Sequence, residues 1–131
     1  MTDAKPESAQ SEKTTFERTP DFISTYANSV VYEATAWDLK MKFGQVENVA
    51  GNSLVKQHIT VTIPWAQAKL ALYWLRLQVQ AMELQTGKIP IRKDVIPVAP
   101  PELPPEQAND PATKAIYEMV VKLHQDFIAS L

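Results

Sequence analysis

The sequence predicts an α+β fold: a three-stranded antiparallel β-meander packed on one long helix, then a proline-rich connector and a second, amphipathic C-terminal helix. Three observations carry this. Two segments between residues 38 and 63 alternate apolar and polar side chains with a period of two, as strands with one buried face do. Residues 64–86 hold apolar side chains at helical spacing with no internal proline or glycine. Seven of the ten prolines then fall between Pro90 and Pro111, where neither a regular helix nor a central strand can form.

The first strand is read over residues 28–35, NSVVYEAT, from its β-branched and aromatic content. In the second, Leu39, Met41 and Phe43 alternate with Lys40 and Lys42; in the third, Ile59, Val61 and Ile63 alternate with His58, Thr60 and Thr62. Asn48, Gly51, Asn52 and Ser53 supply turn chemistry between them. Short links make consecutive strands antiparallel, and the expected inner face carries Leu39, Met41, Phe43, Ile59, Val61 and Ile63. Pro64 suits the first turn of a helix, because its missing N–H would have no intrahelical partner there, and Gly87 marks the stop. About 22 residues make a helix ~33 Å long, more than a typical strand spans.

That helix is apolar on two sides. Ala68, Ala71, Leu72, Leu75, Val79 and Met82 share one stripe, and Leu70, Tyr73, Leu77, Ala81 and Leu84 share the other. Lys69, Arg76, Gln80 and Glu83 form one polar seam between them, and Gln67, Gln78 and Gln85 form the second. A helix apolar on two sides needs cover on both. Asp110 and Pro111 form an N-cap and first-turn pair for the last helix, over 112–131. Its stripe of Ala112, Ala115, Ile116, Met119, Val120, Leu123, Phe127 and Leu131 is widened by Tyr117, Val121 and Ile128. The expected organisation is a disordered tail at 1–21, a core domain at 22–88, a connector at 89–110 and the helix at 111–131.

The 131 residues have 45% hydrophobic content and a net charge of −2, with no run of like charge, which argues against nucleic acid as a partner. Cysteine is absent, so disulfides, thiolate nucleophiles and cysteine-based metal sites are excluded, and a reducing cytoplasm is compatible. The first 20 residues lack the apolar region of a secretory signal, and no apolar run reaches the ~20 residues of a membrane span. A soluble, cytoplasmic protein is expected.

Candidate chemistry is sparse. His58 and His124 have no carboxylate or second histidine at ligand spacing, and there is no HExxH, GxSxG or phosphate-cradling glycine pattern. Glu33 and Asp38 flank the first turn, where a solvated strand residue and a turn residue explain them without acid–base work. Lys40, Lys42, Lys56 and His58 make a mildly basic strand surface offset by Glu33. No enzyme activity, metal or cofactor is expected.

Residues 26–81 resemble the small bacterial domain of unknown function 3467 family. The resemblance rests on Tyr26-Ala27-Asn28, on Asp38-Leu39-Lys40-Met41-Lys42-Phe43-Gly44, and on a strand ending at Pro64 with Ala68-Lys69 following. It implies a strand-meander-plus-helix fold with self-association, and no catalytic residues.

The favoured function is therefore a non-catalytic, homo-oligomeric interaction or scaffold module. One helix face covers the sheet, and Leu70, Tyr73, Leu77 and Leu84, with Val121 and Ile128 of the last helix, form the oligomer interface. The partner is a second copy, in a homodimer or larger assembly, and the C-terminal helix is a candidate surface for another protein. The alternative is a small-ligand binding or sensing domain with an apolar pocket between sheet and helix, lined by Trp37, Trp65 and Tyr73.

Overall fold

A computed structural model describes residues 12–131. The α+β class holds: the element order is β1 (Ser29–Ala34), β2 (Asp38–Val49), β3 (Asn52–Pro64), α1 (Trp65–Thr86) and α2 (Pro111–Ala129), with a 3₁₀ turn at Lys93–Val95. The expected tail at 1–21 lies outside the described residues as far as residue 11. The chain divides into two compact units, with the boundary between Ile63 and Pro64.

The first unit is an antiparallel sheet in the order β1-β2-β3. Its first turn is built by Thr35, whose N–H donates to the Asp38 carbonyl (2.9 Å). The Thr35 hydroxyl oxygen accepts the N–H groups of Trp37 (3.1 Å) and Asp38 (3.0 Å). The resulting register places Val30 opposite Phe43, Tyr32 opposite Met41 and Ala34 opposite Leu39. Directly opposed residues share a face, so β1 adds three apolar side chains to the apolar face of β2. On the other face, the Lys42 ammonium pairs with Glu33 at 2.7 Å. Beyond β1, Asn28 extends the pairing: its N–H donates to the Gly44 carbonyl (3.1 Å), and its side-chain oxygen accepts from Val46 N–H (2.7 Å).

The second turn is two residues long. Ala50 and Gly51 both have positive φ, 50° and 80°, the signature of a primed hairpin turn whose twist matches the strands. It starts the pairing with Val49 across from Asn52. Gly44 lies close against the opposite backbone, where an added Cβ would stand 2.6 Å from the Lys56 carbonyl oxygen and 3.0 Å from the Gln57 Cα.

The second unit begins without a loop. Pro64 ends β3 and is also the N-cap of α1, with φ −66° and ψ 157°, so the helix begins at Trp65, one residue later than the sequence suggests. Gly87 ends the helix, its N–H donating to the Glu83 carbonyl (2.9 Å), and the Glu83 carboxylate accepts Ile89 N–H (2.9 Å). The connector is irregular apart from its 3₁₀ turn, in which Arg92 pairs with Asp94. At the start of α2, Asp110 accepts the Ala112 N–H (3.3 Å) and the Thr113 hydroxyl (2.6 Å), as an N-cap aspartate should.

Candidate self-association surfaces

On α1 the residues Tyr73, Arg76, Leu77, Gln80, Ala81 and Leu84 line a groove of about 420 Å³. Their spacing of three and four places them on one helix face. Tyr73, Leu77, Ala81 and Leu84 are the second apolar stripe; Arg76 and Gln80 come from the adjoining polar seam and were not among the expected interface residues. Long stems on a seam can flank an apolar stripe, which is the signal that would have included them. Leu77 is 40% exposed and Leu84 90%, and Leu70 is also exposed. A second hollow at the helix end is lined by Gln80, Glu83, Leu84, Gly87 and Lys88. The Tyr73 ring meets Trp74 edge-on, with centroids 5.0 Å apart. The other stripe is open too: Leu72 is 62% exposed, and Leu75, Val79 and Met82 are also exposed.

The C-terminal helix is covered on one side. The His124 Nε2 lies 2.9 Å from the Pro97 carbonyl. A carbonyl only accepts, so this nitrogen carries the proton. Lys88 Nζ donates to the Ser130 carbonyl (3.0 Å), tying the segment after α1 to the end of α2. Thr113, Tyr117, Val121, His124 and Phe127 are half-buried, as are Ile96, Pro100 and Leu103 of the connector. Ile116, Met119, Val120, Leu123 and Ile128 remain exposed. Of the two expected interface residues on α2, Val121 is thus half-buried and Ile128 is accessible.

Of the aromatic residues considered for a ligand pocket, Trp37 belongs to the sheet unit and is 85% exposed at the first turn. Trp65 and Tyr73 both lie on α1, about two turns apart. Tyr73 lines the groove and Trp65 does not.

The remaining polar candidates have structural partners. His58 Nε2 lies 3.3 Å from the Thr25 hydroxyl. Lys42 pairs with Glu33 and Lys56 with Glu47 (3.2 Å), so two of the three lysines of the basic strand surface are neutralised by neighbours. The bond from Lys42, reinforced by the charges of Lys42 and Lys40, holds the Glu33 carboxyl below its ordinary pKa. Asp38 accepts the Thr35 hydroxyl at 2.8 Å. Among the described residues no group of three or more His, Asp or Glu is placed to hold a metal ion, and no helix is long and apolar enough to cross a membrane.

Comparison with protein-family models, with curated proteins and with solved structures finds no match to this chain.

Proposed function

We propose that this chain is a non-catalytic, homo-oligomeric interaction module of the cytoplasm, whose α1 stripe of Leu70, Tyr73, Leu77 and Leu84 packs against another copy. One observation carries the reading: among the described residues no hydrophobic side chain is buried, and both stripes of α1 are open. Burying a Leu or Tyr of this kind is worth about 1.5 to 3 kcal/mol at most, so covering four of them supplies a substantial drive for association. The exposed Ile116, Met119, Val120 and Leu123 of α2 offer a further surface, through which a second protein is held.

Light scattering on the full chain at micromolar concentration tests this directly. The expected mass is that of a dimer or larger assembly, and a well-folded monomer overturns the reading. Leu77→Glu is expected to lower the mass, because it places a charge in the middle of the stripe. Substituting Lys122 is expected to leave it unchanged, since this side chain is exposed and pairs only with Asp126 at 3.5 Å. An unchanged mass for Leu77→Glu removes the α1 stripe from the interface.

A further inference from the structure

We propose that the outer edge of β3 pairs with β3 of a second copy, antiparallel about Val61, joining two three-stranded sheets into one of six strands. The inference rests on the homo-oligomeric reading and names the backbone surface that would join two copies.

Three observations meet on this edge. β3 is an edge strand of 13 residues, whereas the opposite edge, β1, has 6. A long edge strand presents a row of unpaired N–H and C=O groups, which proteins usually blunt with charges, prolines or bulges. From Gln57 to Ile63 this strand has neither charge nor proline.

Successive residues of a strand turn their main-chain groups to opposite neighbours, so every second residue of β3 presents its N–H and C=O to this open edge.

The sequence of the edge is its own mirror. Residues 59–63 read Ile-Thr-Val-Thr-Ile, a palindrome centred on Val61. A two-fold axis through an antiparallel strand pair sets each residue against its mirror position. Ile59 then faces Ile63 of the second copy, Thr60 faces Thr62 and Val61 faces itself. All five are β-branched, and Thr–Thr and aliphatic cross-strand pairs are favourable. Alternate opposed pairs along the junction each exchange two N–H···O bonds. Val61 is 37% exposed, leaving its side chain room to meet a neighbour on the same face.

The chain has no cysteine, so single thiols report the pairing in the full-length protein. Val61→Cys would place two copies of the thiol on directly opposed residues, within the ~4.4–6.8 Å Cα separation a disulfide requires. Lys56→Cys lies on the same strand but would be separated from its counterpart by ten positions, roughly 33 Å. Under mild oxidation Val61→Cys is expected to become a covalent dimer on a non-reducing gel, while Lys56→Cys stays monomeric. As a register test, Ile59→Cys and Ile63→Cys proteins are expected to cross-link when refolded together and not when oxidised separately. Equal cross-linking at 56 and 61, or none at 61 and none in the 59 and 63 mixture while light scattering reports an oligomer, overturns this edge and leaves the oligomeric reading standing. A monomeric mass in light scattering overturns both.

Discussion

Gly44 is the only buried residue among those described, and the reason is a close approach. A Cβ there would come within 2.6 Å of the Lys56 carbonyl oxygen, a main-chain atom that cannot swing aside. Gly44→Ala is therefore expected to destabilise the sheet by about 1 to 3 kcal/mol, the usual cost of overpacking, read as a lower urea midpoint. Ala50 presents the opposite case. Its φ of 50° lies in the left-handed region, which disfavours a Cβ but tolerates asparagine, and Gly51 follows it. Ala50→Asn completes the Asn-Gly pair that two-residue turns prefer, and is expected to raise stability by about 0.5 to 1 kcal/mol in the same measurement. The turn could be located in the sequence from Asn48, Gly51, Asn52 and Ser53. Its length could not, because alanine gives no hint that it will adopt positive φ.

At the scale of the element, the helix ends were legible because capping is local chemistry. Asp110 and Pro111 were read as an N-cap and first-turn pair, and Asp110 does accept from Ala112 and Thr113. The bond from Thr113, and then that from the Ala112 N–H, holds the Asp110 carboxyl below its ordinary value of 3.8. A carboxyl with a lowered folded-state pKa stabilises fully above the ordinary value and loses that contribution as pH falls through the folded one. Helicity measured by circular dichroism is therefore expected to decline below pH 3.8, and Asp110→Asn should weaken the part of that decline due to this residue. The half-buried side of α2 was less legible. Val121 was grouped with an interface, yet Tyr117, Val121 and His124 share the half-buried side that bears the His124–Pro97 bond. A proline-rich segment carries no periodicity to announce which helix face it will follow.

At the scale of the whole molecule, the leading fact is the absence of any buried hydrophobic side chain among the described residues. A chain with 45% hydrophobic content is expected to bury much of it, so the stability of this protein should depend on its neighbours. The thermal midpoint is accordingly expected to rise with protein concentration, as it does when folding and association are linked, and to lose that dependence in Leu77→Glu. A midpoint independent of concentration would argue that one chain folds by itself.

By itself the sequence determined the elements of this protein: three strands, two helices, a proline-rich connector, and the caps and stops between them. It also determined that α1 would be apolar on two sides. These are consequences of spacing and of local backbone chemistry, which neighbouring residues decide among themselves. Tertiary structure alone decided that Gly44 is pressed against Lys56 and Gln57, that His124 is bound to Pro97, and that β3 stands at a sheet edge. Each depends on registers and contacts between residues distant in sequence, and no periodicity within one segment encodes its position relative to another.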